Sequence, residues 1–217
     1  HSTHYKFLNI TSIKVYFLGG LMKKDKVDSI LNTARQMFKK YGMQKTNLED
    51  IARLSKVAKA TIYHYFGSKD RVYMEVLNRE VSDIASRISE AVEQVKSPRE
   101  KLRAFILTSF KLVREAADIL NLRSDLLHRL LPCAGSVRKN LFLAQTAILQ
   151  TILNEGVKEG IFNSCGPHTV RSIVYAMRGF EFTWLLDSDN ADIDTDLDEL
   201  ITLLCGGILD PKSITFA

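Results

Sequence analysis

Lys59, Thr61, Tyr63 and His64 stand close together in the segment TNLEDIARLSKVAKATIYHYF, Thr46 to Phe66. On a helix over about Ala58 to Tyr65, Lys59, Ala60, Thr61, Tyr63 and His64 face outward, while Ala58, Ile62, Tyr65 and Phe66 pack inward. Such an outward set suits double-stranded DNA. Lys59 can reach guanine acceptors, and Thr61 can hydrogen-bond a base edge or touch a thymine methyl. Tyr63 and His64 can hold backbone phosphates, together with Lys69 at the head of the next helix, whose N-terminal amides are themselves anion donors. Lys45, Thr46 and Lys56 on the flanking segments complete the DNA-facing set.

Those side chains need two short helices joined by a tight turn, and the sequence supplies them. A first helix is expected from about Lys24 to Tyr41, with Val27, Ile30, Leu31, Ala34, Met37 and Phe38 on one stripe. Gly42 is its stop, and lysines fill its last turn. Thr46 and Glu49 have the spacing of a capping box that opens a second helix to about Ser55, with Leu48, Ile51, Ala52 and Leu54 inward. Gly67 breaks the third helix, and Ser68 caps a fourth running to about Lys96. A helix pair of this kind is a helix-turn-helix, whose second helix can lie in the major groove.

Beyond Pro98 the apolar positions keep helical spacing, and no strand pattern is found. Leu102, Phe105, Ile106, Phe110 and Val113 mark a fifth helix, and a shorter one is expected over Asp118 to Leu131. A long helix from about Val137 ends at Gly160. Pro167 opens another to Leu186, and a last one covers about Asp196 to Gly206. The chain therefore reads as all-α with about nine helices.

Charge is unevenly distributed along the 217 residues. Residues 23 to 71 hold twelve Lys/Arg against five Asp/Glu, whereas residues 72 to 217 hold sixteen against twenty. A basic head on a mildly acidic body is the footprint of a phosphate-binding module joined to a part with another task. The three cysteines, Cys133, Cys165 and Cys205, are far apart and odd in number, which argues against a disulfide framework and for a reducing cytoplasm. No uncharged apolar run reaches the roughly 18 residues of a membrane span. The chain opens on His1 and Ser2, and Met22 directly precedes the lysine-rich helix start. Residues 1–21 are accordingly expected to be a tag remnant plus upstream sequence, poorly ordered.

The stretch Ile51 to Leu77, IARLSKVAKATIYHYFGSKDRVYMEVL, resembles the TetR family of one-component bacterial transcriptional repressors. The family pattern is close to I-A-x-x-A-G-V-S-x-x-x-[IL]-Y-x-[YH]-F-x-[ST]-K-[ED]-x-L. It is met at Ile51, Ala52, Val57, Ile62, Tyr63, Tyr65, Phe66, Ser68, Lys69 and Asp70, with Ala34, Phe38, Gly42 and Thr46 also in place. Close similarity covers about residues 24 to 80. Three positions depart from it. Lys56 replaces the turn glycine and so must adopt a left-handed or strained backbone. Ala58 replaces the serine that caps the third helix, and Val72 replaces a leucine.

The resemblance implies a helix-turn-helix DNA-binding domain over residues 22–68 and a helical ligand-binding and dimerisation domain over 69–217. It implies a homodimer paired through the last two helices, a pseudo-palindromic DNA operator, and a small apolar or amphipathic inducer held in a cavity walled by the fourth to eighth helices. Inducer binding would favour a dimer geometry mismatched to the half-site spacing. Candidates to line that cavity are Phe105, Phe110, Leu127, His128, Phe142, Gln145, Tyr175, Arg178 and Trp184, with His128 or Arg178 as polar anchor. The helix over Pro167 to Leu186 is apolar nearly all round, as expected of one buried on two sides.

Other chemistries are poorly supported. The alternating carboxylates of Asp187 to Glu199 lack the glycine and terminal glutamate spacing of a calcium loop. Cys133 and Cys165 have no neighbouring zinc-ligand set. Neither a glycine-rich phosphate loop nor a nucleophile elbow occurs, so no enzyme, cofactor or metal is expected. The alternatives to a ligand-released repressor are a regulator without a small-molecule inducer and a helical dimer with weak or no specific DNA binding, the latter suggested by Lys56 and Ala58.

Overall fold

The computed structural model describes residues 22–119, 135–186 and 193–208, and every regular element among them is a helix. The chain divides into two compact units, with the boundary between Val76 and Leu77. The expected helix over Asp118 to Leu131 lies largely outside the described residues, as do residues 1–21.

In the N-terminal unit, α1 (Met22–Lys45) buries the stripe Ile30, Leu31, Ala34, Met37 and Phe38. Gly42, at φ 74° and ψ 163°, interrupts it at the expected stop, and residues 43–45 form a further turn. α2 (Leu48–Leu54) turns Leu48, Ile51 and Ala52 inward, and α3 (Lys59–Phe66) contributes Ile62. The first turns of α4 (Lys69–Glu93) add Val72 and Tyr73. Tyr73 meets Phe38 edge to face, ring centroids 5.0 Å apart, a pairing that adds about 1 kcal/mol to the burial of two rings. Burial pushes the Tyr73 phenol up, and its hydroxyl has no hydrogen-bond partner in the protein.

Three local expectations are corrected. The cap of α2 is Asn47, whose side-chain oxygen accepts from the Asp50 amide at 2.7 Å. Thr46 is buried instead, its hydroxyl donating to the Gly42 carbonyl at 2.8 Å. A buried hydroxyl beside an uncapped carbonyl gains more from that bond than from a solvated amide. Leu54 is exposed rather than inward, and so is Ala58.

The second unit is built around α5 (Pro98–Ile119), which packs against α6 (Gly135–Lys158), α7 (Pro167–Leu186) and α8 (Ile193–Ile208). Ile84 and Ile88 of α4 join Leu102, Phe105 and Ile106 of α5 in one core. Leu149, Ile152 and Leu153 of α6, Val170, Ile173, Val174 and Met177 of α7, and Leu197 and Ile201 of α8 close it. Ion pairs fix the rim: Lys101 with Glu155 between α5 and α6, and Arg103 with Asp198 at 2.9 Å between α5 and α8. The α6 helix ends at Lys158 and the chain turns at Gly160, φ 72°, where the Ile161 amide donates to Gly156 and the Gly160 amide to Val157. This double closure uses left-handed backbone at the end of the helix, which glycine adopts without strain. Gly156 matters for a different reason, because a Cβ there would run into the Phe162 ring.

Of the apolar residues on α7, Val170, Ile173, Val174 and Met177 are buried. Arg171, Ser172, Tyr175, Ala176 and Gly179 form an exposed face in the single chain. α8 begins at Ile193, three residues before the expected Asp196, so Asp196 sits in its first turn, where a carboxylate is favourable.

Candidate nucleic-acid interface

The α2–α3 turn depends on Lys56, which adopts φ 56° and is the one non-glycine residue with positive φ among those described. Its amide donates to Arg53, and the Val57 amide to Ala52. Ala58 precedes α3 in extended conformation, with no side-chain hydrogen bond to the first amides. The Thr61 amide is served by the Ala58 carbonyl at 2.9 Å. Gly67, φ 76°, ends the helix, and its amide donates to Tyr63. Ser68 then accepts from the Arg71 amide, capping α4 as the sequence suggests.

With Ile62 fully buried, α3 presents Lys59, Ala60, Tyr63 and His64 to solvent, Tyr63 at 47% of its full exposure. Thr61, Tyr65 and Phe66 are half-buried. Lys45 and Lys56 are exposed, whereas the Thr46 side chain is turned into the unit. The Lys59 ammonium lies 5.7 Å from the centre of the Tyr63 ring and forms an ion pair with Glu49 of α2. Their hydrogen bond holds the Glu49 carboxyl below its ordinary range and raises the Lys59 ammonium. The spacing to Thr46 makes Glu49 half of a capping box in sequence. Its actual partner, ten residues away, follows no helical periodicity and is brought to it only by the folded turn.

Lys69 departs from its expected place. Its ammonium donates to the carbonyls of Met43 at 3.0 Å and Thr46 at 3.1 Å, with Gln44 at 3.5 Å. It thus closes the carbonyl end of α1 and ties α4 to the α1–α2 connection, a task that competes with contacting a phosphate.

The residues expected to line a ligand cavity divide into groups. Phe105 and Phe110 are core residues of α5. Phe142 of α6 stacks on Tyr175 of α7, centroids 5.0 Å apart, and Arg178 lies 5.9 Å from the Phe142 ring while donating to the Arg138 carbonyl at 3.1 Å. Gln145 is fully buried, and its amide nitrogen donates to Glu181 at 3.3 Å. Glu181 is absent from the sequence-based set because one acidic residue on an apolar helix gives no pattern. Leu127 and His128 lie outside the described residues, as does the Trp184 side chain. An open cleft of about 370 Å³ between α4 and α5 is lined by other residues, among them Arg87, Glu90, Gln94 and Lys111.

Residues 30–76 match the family model for bacterial regulatory proteins of the tetR family. A transcriptional repressor, KstR2 of Mycolicibacterium smegmatis, is 29% identical over 137 residues, covering 62% of this chain and 66% of that protein. Over residues 30–76 the chain carries a TetR-family domain. Members of that family are DNA-binding transcriptional regulators rather than enzymes. Likeness of fold extends beyond the matched segment. A transcriptional regulator from Cytophaga hutchinsonii superposes with a TM-score of 0.72 at 20% identity, over 85% of this chain and 99% of that one. FadR from Bacillus subtilis, solved with stearoyl-CoA, superposes with a TM-score of 0.61 at 22% identity, over 83% and 98%. Among the described residues, no helix is long and apolar enough to cross a membrane.

Proposed function

We propose that this chain is a cytoplasmic, homodimeric, ligand-responsive repressor. It reads a pseudo-palindromic operator with α3 and is released by a small apolar or amphipathic inducer. The observation that carries the reading is the outward face of α3: Lys59, Tyr63 and His64 project from a helix anchored by the buried Ile62. A short helix held in this way can enter a major groove without losing its footing. The exposed faces of α7 and α8, with Tyr175 and Leu203 uncovered in the single chain, are the natural surfaces for a second copy. Domain limits of 22–68 for DNA binding and 69–217 for ligand binding and dimerisation fit this division of labour. FadR, one of the structural neighbours, is complexed with stearoyl-CoA, which supports an amphiphile as the inducer class.

A second reading is a helical dimer that binds DNA only weakly. It is favoured by the ion pair that ties Lys59 to Glu49, together with the uncapped start of α3. Selection of genomic DNA fragments by the purified protein at two salt concentrations separates the readings. A repressor retains one recurrent palindrome at the higher salt, whereas phosphate attraction alone retains random fragments that are lost as salt rises.

A further inference from the structure

Ser109 of α5 and Gln145 of α6 are both completely buried, and Glu181 of α7 is 5% exposed. They are the polar residues buried on those three helices among the described ones. Helix register brings them to one level. Lys101, near the start of α5, pairs with Glu155, near the end of α6; on an antiparallel pairing anchored there, Ser109, eight residues along α5, comes level with residue 147, two residues from Gln145. At 1.5 Å per residue that offset is roughly 3 Å. Gln145 is bonded directly to Glu181. Ser109 lies on the same stripe as Leu102, Phe105 and Ile106, which pack into the shared core. A polar layer thus crosses an otherwise apolar bundle.

The layer is only partly satisfied. The Ser109 hydroxyl and the Gln145 carbonyl oxygen have no hydrogen-bond partner in the protein. A buried polar atom left so carries its full desolvation cost, which a purely structural core would avoid by using leucine or alanine. The free capacity is rich in acceptors. Once Glu181 is ionised, it comprises the Gln145 carbonyl and the lone pairs of Glu181 not used by Gln145, against one hydroxyl donor on Ser109. Burial raises the Glu181 carboxyl to about 7, opposed by the positive charge of Arg178 and the bond from Gln145.

We infer that Ser109, Gln145 and Glu181 form the polar end of the inducer site, and that it takes an apolar molecule whose buried end carries a hydrogen-bond donor, a hydroxyl or a protonated amine. This rests on the ligand-responsive reading above and narrows it. A hydroxyl gives its proton to the Gln145 carbonyl and accepts from Ser109. An ammonium satisfies Gln145 and Glu181 together. A carboxylate or a thioester carbonyl offers no proton to Gln145, and above about pH 7 a carboxylate also meets the Glu181 charge. The small amphiphile is therefore bound donor-end inward.

The test is calorimetric titration of the full-length protein with decan-1-ol, decylamine and decanoate, each below its micelle concentration. The alcohol, the amine or both should bind at least about tenfold more tightly than decanoate, since a site built to bond a donor rejects analogues lacking one. Loss of amine binding alone in Glu181→Gln identifies an ammonium site, and retention of alcohol binding there identifies a hydroxyl site. Gln145→Leu should weaken the favoured ligand about tenfold. If that variant does not fold, Ser109→Ala supplies the same comparison for the alcohol. Equal or tighter binding of decanoate, no binding by any decyl compound, or unchanged affinity in Gln145→Leu would overturn the inference, leaving a layer bridged by water only. DNA binding measured on the same samples keeps the two claims apart. A protein that holds an operator but fails these titrations loses this inference and keeps its repressor reading, and the reverse result does the opposite.

Discussion

Lys69 and Glu49 show how single side chains decide what the α3 surface can do. Lys69 has the position of a phosphate contact in sequence, yet its ammonium closes the Met43 and Thr46 carbonyls. Charge-assisted bonds of this kind contribute about 1.5–3 kcal/mol each before competition with water. Lys69→Met should therefore lower the unfolding free energy by roughly 1–3 kcal/mol in a denaturant titration and leave the salt slope of DNA binding unchanged. A slope reduced by about one per protomer, with stability intact, would restore the phosphate contact. Glu49 has the opposite character, since it places a carboxylate on the ammonium that should face DNA. Glu49→Gln frees Lys59 and removes a negative charge. Affinity for any DNA sequence should rise, and the slope of log affinity against log salt should steepen by about one per protomer. An unchanged slope would mean that Lys59 already leaves Glu49 when DNA binds. The types and spacing of these side chains are readable in the chain, but their pairing is not, because it is made across a turn.

At the scale of elements, the helix-turn-helix is legible because each part has a local cause. The α1 stripe, the Gly42 stop and the Ser68 cap follow from sequence, and the left-handed Lys56 follows from the glycine that the TetR pattern has at that turn. What local reasoning misjudges is competition between near-equivalent partners. Thr46 and Asn47 could each cap α2, and burial of Thr46 against the α1 carbonyls decides in favour of Asn47. Lys56 stores a cost in the turn, since left-handed backbone disfavours a residue with a Cβ by about 1 kcal/mol. Lys56→Gly should thus be neutral to stabilising by up to roughly 1 kcal/mol, partly offset by the looser unfolded chain. The same change should weaken DNA binding if the exposed Lys56 ammonium meets a phosphate. Thermal melting and a salt-dependent binding series read the two effects separately. A variant that melts lower would show that the turn is shaped around lysine.

The molecule as a whole joins a basic reading head to a helical body, and the uneven charge along the chain marks that division by itself. The body is harder to read. Apolar periodicity gives helices but not which face meets which, so Phe105 and Phe110 fall in the core, while Glu181 carries no sequence signal at all. That buried carboxyl makes stability depend on pH. Its proton is held more tightly in the folded chain, at about 7 against an ordinary 4.5. The stabilisation is therefore complete below about pH 4.5 and lost as pH rises through about 7. Glu181→Gln, which keeps the neutral shape, should gain on the parent protein between about pH 5 and about pH 8 in denaturant midpoints. An advantage equal at both ends would mean that the carboxyl is not held protonated. The central claim is that α3 reads bases, and its most direct measurement is a base-preference profile over randomised operator-length duplexes. The full-length protein should be compared with Thr61→Ala and Tyr63→Ala. Thr61→Ala is expected to flatten preference at one position per half-site, and Tyr63→Ala to lower affinity evenly without changing the profile. A Thr61→Ala profile identical to that of the parent protein would contradict the placement of α3 in the groove.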